Sequence, residues 1–278
     1  MTASRIFRAG LLAGLAVAAA AGTAHATPLF AAHRAVYEVT LDKAEDRTGI
    51  SDMNGRLVFE FDGSKCDGYT MSMRFVLRMQ LPEDTRITDQ QTTTYESGDG
   101  NEFRFVTKTF TDQKLDQEIR GSAEREPDAV VVTLQKPDPL DVSLKSSQFP
   151  TMHLAEMIEK AKAGVHFYET TLFDGSDEAD RLMLTSVVIG DRTEPQKGDD
   201  ETSHAGAMKD KAYWPVSIAY FDPLKETGGE ALPQYRINFK LYENGITRGL
   251  VMDYGDFILK GELSDLTLLP VDASCPAQ

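Results

Sequence analysis

The sequence lacks the short motifs by which enzymes are commonly recognised. It contains no phosphate loop, no G-x-S-x-G elbow, no H-E-x-x-H pair and no dinucleotide-binding G-x-G-x-x-G. The histidines beyond residue 26 are too dispersed to indicate a metal cluster; they are His33, His153, His166 and His204. The 44 acidic residues do not indicate a glycosidase, because any fold of this chain would bring some carboxylates together. We therefore expect a protein that is not an enzyme and needs no cofactor.

Long hydrophobic runs are also scarce, and the one clear example is N-terminal. Arg5 and Arg8 precede the run AGLLAGLAVAAAAG, which is followed by Ala24-His25-Ala26. This pattern predicts a Sec-type signal peptide over residues 1–26. The run is shorter than the roughly 20 residues that cross a bilayer, and no later run is long enough. No cysteine closely follows the cleavage site and the arginines are not adjacent, which argues against lipidation and twin-arginine export. We expect a soluble periplasmic protein with no transmembrane segment.

Basic residues are few. The chain has 29 Lys and Arg against 44 Asp and Glu, a formal charge of −15, and removal of Arg5 and Arg8 with the signal changes this to −17. The electrostatic field of such a negative charge repels nucleic acid and anionic lipid surfaces over about 10 Å at moderate salt, and it favours basic partners. Because the acids are scattered, ordinary solubilising charge explains them equally well. We expect no nucleic-acid partner.

The chain has only two cysteines, Cys66 and Cys275. In an oxidising compartment two cysteines are expected to pair, and the bond would close a loop of 210 residues, counted from residue 66 to residue 275. The chain-entropy model assigns such a closure roughly 5 kcal/mol as an upper figure. A redox-active thiol or an intermolecular bridge are the alternatives, although the chain has no Cys-x-x-Cys motif. A zinc site is disfavoured because no His or further Cys lies at metal spacing beside either residue.

Apolar and polar residues alternate with a period of two from end to end. The runs RAVYEVTL, GRLVFEF and YRINFKLY each place every second side chain on one apolar face, which is typical of antiparallel strands with one buried face. Between such runs lie residues that favour tight turns; they are Asn54-Gly55, Asp62-Gly63, residues 97–101, residues 174–178 and Asn244-Gly245. We predict an all-β protein in which residues 27–278 form one domain.

Two segments depart from this pattern. PTMHLAEMIEKAKAG places Leu154, Met157, Ile158 and Ala161 at helical spacing, with Thr151 as an N-terminal cap and Gly164 suited to the end. This predicts one amphipathic helix that either plugs the sheet or covers one mouth of its core. Residues 192–211 are charged, contain Gly and Pro and have few large apolar side chains, which predicts a long mobile loop.

The strand after Cys66 is rich in methionine. In CDGYTMSMRFVLRMQL, one face would carry six apolar side chains; they are Tyr69, Met71, Met73, Phe75, Leu77 and Met79. Because methionine is adaptable, this face could line a cavity for acyl chains, and the alternative is an ordinary strand in a closed core. The segment DGSDEAD offers acidic oxygens at alternate positions for calcium, although a hairpin turn explains Asp174 and Asp180 as well. We expect no metal site.

Six segments, taken in order, resemble the alphaproteobacterial periplasmic proteins of the EipB-like envelope-integrity family, long listed as a domain of unknown function. They are AAHRAVYEVTL, SKCDGYTMSMRF, FYETTLFDGSDEADRLMLTSVVIG, WPVSIAYF, YRINFKLYENGITRGLVMDYGDFILKGELSDLTLLP and SCP. The resemblance covers essentially the whole mature chain and includes no catalytic signature. It implies one highly curved antiparallel sheet, wound into a spiral or partial barrel and distantly similar to periplasmic lipoprotein carriers. The family's cysteine pair matches Cys66 and Cys275, which implies a disulfide between them.

The function expected from these observations is non-enzymatic support of cell-envelope integrity through binding of another envelope component. The alternative is a periplasmic carrier of lipid or lipoprotein acyl groups in a concave apolar cavity. A protein partner on the acidic exterior and a glycan stacked on Tyr213 or Trp214 in AYWP are further hypotheses. The partner would thus be an envelope protein, a lipid or a lipoprotein, and we expect the protein to be a monomer.

Overall fold

The computed structural model describes residues 29–176, 179–196, 198–224 and 231–270, which form one antiparallel sheet and one α-helix. The signal peptide predicted for residues 1–26 lies outside the described residues. The first eight strands are β1 (His33–Ala44), β2 (Asp52–Ser64), β3 (Gly68–Gln80), β4 (Thr85–Glu96), β5 (Glu102–Thr111), β6 (Lys114–Arg125), β7 (Ala129–Lys136) and β8 (Leu140–Lys145). The helix α1 (Pro150–Lys162) follows, and then β9 (Phe167–Leu172), β10 (Met183–Ile189), β11 (Trp214–Phe221), β12 (Tyr235–Leu241), β13 (Thr247–Asp253) and β14 (Phe257–Leu268).

The strands follow one another in the sheet in the order β8-β7-β6-β5-β4-β3-β2-β1-β14-β13-β12-β11-β10-β9. Sequence neighbours pair as meanders, and β1 pairs with β14, which joins the first and last strands. The predictions of an all-β fold, a single large sheet and one helix are therefore confirmed. The strands β8 and β9 are the two edges, and α1 connects them.

The two edges approach each other through the segment between β8 and α1. The Gln148 backbone N–H donates to the Thr171 carbonyl at 3.0 Å, and the Gln148 carbonyl accepts from the Phe173 N–H at 2.9 Å. Over the described residues no ladder joins β8 directly to β9. The sheet is thus an open one whose seam is bridged along residues 146–148.

One face of the sheet is concave and carries the main hydrophobic core. Register partners on neighbouring strands point to the same face, and Phe75, Leu57 and Tyr37 are such partners across β3, β2 and β1. They share one core cluster with Val187 of β10 and Ile218 of β11, strands that lie far away in the sheet order. A single core shared by strands this far apart in the sheet order indicates a strongly curved sheet, and the alternating residues fill its inside.

A second, smaller core lies under β5–β7. It is built from buried residues of those strands and of the segments beside α1 and β9; they are Phe103, Phe105, Ile119, Ala123, Val130, Val132, Leu134, Phe149, Phe173, Ala179 and Leu182. Four phenylalanine rings meet in it, with Phe103 at 5.6 Å from Phe105 and 5.2 Å from Phe149. The segments that flank α1 and β9 are thereby fixed against the far end of the sheet.

The predicted turns are confirmed at some positions and wrong at two, of which Asp62-Gly63 lies near the end of β2 and pairs with Thr70 and Tyr69 of β3. Residues 97–101 join β4 to β5 with Gly100 at φ 68°, and Asn244-Gly245 joins β12 to β13 with Gly245 at φ 84°. Asn54-Gly55 lies instead inside β2, paired with Val39 and Leu77 on its two sides. A Cβ at Gly55 would stand 2.1 Å from the Val76 carbonyl oxygen, so this glycine permits close strand approach, a second use of glycine in sheets.

The helix α1 confirms the predicted amphipathic segment but not the predicted cap. Met157, Ile158 and Ala161 are buried in the main core. Thr151 is not the N-cap, because the helix begins after Phe149 with no side-chain cap of its own. The Glu96 carboxylate of β4 caps the helix instead, accepting the N–H groups of Thr151 at 2.7 Å and Met152 at 3.0 Å. Burial raises the pKa of the Glu96 carboxyl, while these hydrogen bonds oppose that shift.

Over its described residues, the segment 192–211 contains no strand but packs against the sheet. Its two short 3-10 helices are Asp200–Ser203 and Gly206–Met208, and Ala205 and Met208 are buried in the main core. The sequence predicted a mobile loop because so few large apolar side chains were available to anchor it. Polar contacts add to this apolar anchoring.

Arg248 of β13 is the centre of these polar contacts. Its guanidinium is 0% exposed and donates to both Asp199 carboxylate oxygens, at 2.7 and 2.8 Å, and to Glu201 at 3.1 Å. The other Glu201 oxygen accepts the backbone N–H groups of Gly249 and Leu263. The hydrogen bond from Arg248 lowers the pKa of Asp199 to about 2. The loop is therefore joined to β13 and β14 by a buried ionic network.

Candidate functional site

The concave face of β3 carries the six side chains predicted to line a cavity. Tyr69 and Leu77 are buried, whereas the other four are half-buried and pack against the main core; they are Met71, Met73, Phe75 and Met79. The opposite face of the strand is exposed at Thr70, Ser72, Arg74 and Arg78. The structure therefore brings the predicted residues together on one concave surface, and their role toward a ligand stays a prediction.

Aromatic side chains continue the concave surface on the other side of the core. The rings of Tyr220 and Tyr235 lie 5.5 Å apart, those of Tyr235 and Tyr254 4.8 Å, and those of Tyr254 and Phe257 4.9 Å. Tyr220, Tyr235 and Phe257 pack against the main core while remaining half-buried. Burial raises the pKa of the Tyr220 and Tyr235 hydroxyls, so both stay neutral at ordinary pH. This wall is apolar with uncharged hydroxyl groups.

Between the two hydrophobic cores the concave face becomes polar. We call this region the threonine–glutamine ladder; its members are Thr88, Gln90 and Thr92 of β4 and Thr107, Thr109 and Thr111 of β5. All six are half-buried, and register pairs Thr88 with Thr111, Gln90 with Thr109 and Thr92 with Thr107. The sequence analysis missed this region. The signal was present in TDQQTTTY, where the alternate positions that would be apolar in a core strand are polar.

Several buried polar atoms lie around α1. Among the described residues, those without a hydrogen-bond partner are Arg125 Nε and Nη2, Ser147 Oγ, Gln148 Oε1, His153 Nε2 and Tyr168 OH. The Arg125 guanidinium lies 5.4 Å from the Phe149 ring centre and the Lys160 ammonium 4.9 Å from that of Tyr168. Cation–aromatic contacts therefore lie at both ends of the helix, at Phe149 before it and at Lys160 in its last turn.

His153 makes the stability of the protein pH-dependent. Burial lowers its pKa to about 4 from the ordinary 6.5. Below pH 6.5 the unfolded chain binds a proton that the folded protein does not, so stability falls as the pH drops from about 6.5 toward 4. We expect the wild type to lose about 2 kcal/mol from His153 alone between pH 7.5 and 5. Urea unfolding at the two pH values measures this loss.

Variants isolate the contribution of His153. His153→Gln should reduce the loss between the two pH values, whereas His166→Gln, at an exposed position, should leave it as in the wild type. Burial also lowers the pKa of His33, so part of the dependence will persist in His153→Gln. An identical loss in His153→Gln and wild type would contradict the assignment.

The aromatic pair Tyr213 and Trp214 is not the exposed glycan platform that was hypothesised. Both side chains are buried, at 6% and 5% exposure, and belong to the main core. Arg192 covers the Trp214 ring at 5.6 Å, and Arg248 lies 5.2 Å from the Tyr213 ring centre. Stacking of a sugar on either ring would require the loop to be displaced.

The structure gives no support to calcium at DGSDEAD over the residues that it describes. Asp174 accepts the Ser176 N–H at 2.9 Å and Asp180 pairs with Arg181 at 3.2 Å, while residues 177 and 178 lie outside the described residues. Elsewhere in the described ranges, no group of three or more His, Cys, Asp or Glu side chains could hold a metal ion.

The outer face has a concavity of its own. An open groove of about 580 Å³ runs over β1–β4, with Val58, Val76 and Ile87 among its apolar residues. Three arginines line it, of which Arg56 pairs with Glu38 and Arg74 with Asp89, whereas Arg78 bonds to the Gln80 amide. The groove thus holds three arginines and two paired acids, a small local excess of positive charge that the overall charge of the chain did not indicate.

Cys66 lies exposed in the turn between β2 and β3. Its backbone N–H donates to the Ser64 hydroxyl at 3.2 Å. The part of the chain that the structure describes has no free cysteine. Cys275 lies outside the described residues, so the disulfide between the two stays a prediction.

Within the described ranges, α1 is much too short to span a bilayer and no helix qualifies as a membrane span.

Comparison with known proteins identifies relatives along almost the whole chain. A family model described as EipB-like matches residues 24–270. The cell envelope integrity protein EipB of Brucella abortus is 51% identical over 257 residues, which cover 92% of this chain and 89% of that protein. The crystal structure of a β-barrel-like protein of a domain of unknown function (DUF1849) from Brucella abortus superposes with a TM-score of 0.84. It is 50% identical, and the match covers 88% of this chain and all of that one.

Proposed function

The chain belongs to the EipB-like family, and from this premise we propose that it is a non-enzymatic periplasmic protein that supports cell-envelope integrity by binding another envelope component. The N-terminal signal pattern supports export to the periplasm. The name of the Brucella relative supports the envelope role. The geometry of the concave face supports a proposal for which component is bound.

The component is an acyl-bearing lipid or lipoprotein, and it occupies the concave face. The observation that carries this proposal is the incomplete burial of the concave face of β3. Four of its side chains face the hydrophobic core but are only half-buried; they are Met71, Met73, Phe75 and Met79. Complete burial of an apolar side chain contributes about 1.5–3 kcal/mol. Four half-exposed side chains therefore leave apolar surface that a bound ligand would remove from water. An acyl chain supplies the missing apolar contacts, and methionine adapts to its shape.

The open architecture is compatible with such a ligand. The edges β8 and β9 are bridged along residues 146–148 and connected by α1. Elongated ligands can enter the concave side of an open sheet more readily than that of a sealed barrel. The opposite side of the acyl site is then formed by the aromatic residues of the main core together with Tyr220, Tyr235, Tyr254 and Phe257.

A fluorescent fatty-acid probe tests this function. The mature wild-type protein should bind the probe saturably, and Met73→Gln should weaken binding about tenfold, because a polar amide then replaces a thioether in contact with the acyl chain. Ser72→Gln places the same side chain on the exposed face of the same strand and should bind as the wild type does. A signal that is absent or does not saturate, or an equal loss in both variants, would rule out the acyl site.

A further inference from the structure

The concave face changes its chemistry within one strand spacing. Register places Met73 beside Thr92 and Phe75 beside Gln90, so apolar and polar side chains lie about 5 Å apart along the hydrogen-bonding direction. On β5 the next partners are Thr107 and Thr109. A ligand on the β3 surface would therefore meet the threonine–glutamine ladder immediately beside it.

The ladder has unused hydrogen-bonding groups. The Thr92 and Thr107 hydroxyls lie 3.1 Å apart and bond to each other. Among the residues that the structure describes, the side chains of Thr88, Gln90 and Thr109 make no hydrogen bond to protein groups. A hydroxyl is both donor and acceptor, and a primary amide offers two donors and one acceptor. The ladder thus presents both kinds of group toward the concave space.

The ladder itself contains no charge. The nearest charged residues by register are Arg86, opposite Met79, and Lys114, opposite Thr111. Arg86 lies 3.6 Å from Asp84, and the Asp116 carboxylate lies 3.4 Å from the hydroxyl of Thr111, the register partner of Lys114. Because charges of both signs meet at this end of the ladder, it favours neither an anionic nor a cationic group. The chemistry of the ladder suits an uncharged partner with many hydroxyl or amide groups.

We infer that the concave face is a two-part site, in which the β3 surface holds an acyl chain and the threonine–glutamine ladder selects an uncharged hydroxyl-rich or amide-rich headgroup. This inference rests on the proposed acyl-binding function. It narrows the ligand class to amphiphiles with a sugar-like or amide-like polar end. Simple fatty-acid anions would use only half of the site.

Displacement of the fluorescent fatty-acid probe by two competitors whose chains each contain twelve carbon atoms tests the inference. Dodecyl maltoside has an uncharged sugar headgroup and dodecanoate a carboxylate, and both are used below the concentration at which they form micelles. With the wild-type protein, the maltoside should displace the probe at about tenfold lower concentration. Two lost hydrogen bonds in the double variant Thr88→Val, Thr109→Val should raise the maltoside concentration threefold to tenfold or more, leaving that of dodecanoate unchanged.

Thr93→Val is the matched control, because Thr93 lies on the exposed face of the same strand and valine preserves the shape of threonine there too. It should behave as the wild type toward both competitors. Equal displacement by the two competitors would disprove the role of the threonine–glutamine ladder but not the acyl site. The same conclusion follows if the two competitors displace the probe from the double variant as they do from the wild type. If the probe itself does not bind, the proposed acyl-binding function is disproved, and the two-part site is disproved with it.

Discussion

Replacement of Arg248 by alanine is expected to lower the free energy of unfolding by about 3–5 kcal/mol. The guanidinium is completely buried and bonds to Asp199, Glu201 and the Tyr242 hydroxyl. Removing it leaves the Glu201 carboxylate without its cation and Asp199 with Lys240 alone, at 2.8 Å, and a buried charge that loses its partner is strongly destabilising. Urea unfolding of the two proteins at neutral pH measures the difference.

Arg74→Ala is the matched control for this prediction. Arg74 makes a two-bond ion pair with Asp89, but the arginine side chain is 60% exposed, and exposed pairs contribute about 0–1 kcal/mol. In Arg248→Ala we also expect faster trypsin cleavage after Lys209 and Lys211, since the network joins their segment to the sheet. A loss below 1 kcal/mol with unchanged cleavage would show that apolar contacts alone hold the segment.

Cys66→Ser is expected to cost about 2–5 kcal/mol, because the proposed disulfide closes a very long loop and thereby restricts the unfolded chain. For a chain of this size such a loss lowers the melting temperature by several degrees. The described strands make the pairing sterically reasonable. Leu268 at the end of β14 is in register with His33 and, through it, with Phe61 of β2, so β14 ends at the same end of the sheet as the β2–β3 turn.

The remaining distance is short enough for the chain to span. Two strand spacings separate β14 from β2, or about 10 Å, and the five residues from 270 to 275 can extend up to about 17 Å. Cys275→Ser should therefore cause the same loss as Cys66→Ser, and the double variant should lose no more than either single variant. Two reactive thiols titrated in the native protein, or additive losses, would disprove the bond.

The strands and the helix were predictable because each depends on local periodicity. Ala35, Tyr37 and Val39 are buried as the alternation in RAVYEVTL indicated, and α1 covers the predicted helical stripe. Asn54-Gly55 was misread because the same dipeptide suits a hairpin turn and a close strand contact. Only the neighbouring strand, which brings the Val76 carbonyl against Gly55, decides between the two.

The contacts between distant segments were not predictable. Thr151 was a good local cap by sequence, but a carboxylate 55 residues earlier, that of Glu96, takes the helix N–H groups. Arg248 lies in a strand where a basic residue ordinarily indicates an exposed position, and its burial depends on Asp199 and Glu201 of the loop. Tyr213 is buried for the same reason, because the loop and the arginine cover it.

The candidate site was predictable in part. Period-two alternation was sufficient to place Met71, Met73 and Phe75 on one face, because a strand allows only two. It could not show that these side chains are half-buried rather than sealed, since exposure depends on how far the sheet curves. Nor could it show that Gln90 and Thr92 lie on the same concave face as these side chains. The polar residues of β4 occupy both faces of the strand, and only the register with β3 shows which of them face the concave side.

The most direct test of the account is the native mass of the protein released gently from the periplasm, without detergent. We expect the wild type to carry an additional mass that matches an acyl-bearing amphiphile, Ser72→Gln to retain it, and Met73→Gln to lose most of it. A bare polypeptide in all three proteins would contradict the claim that the concave face works by holding an acyl ligand.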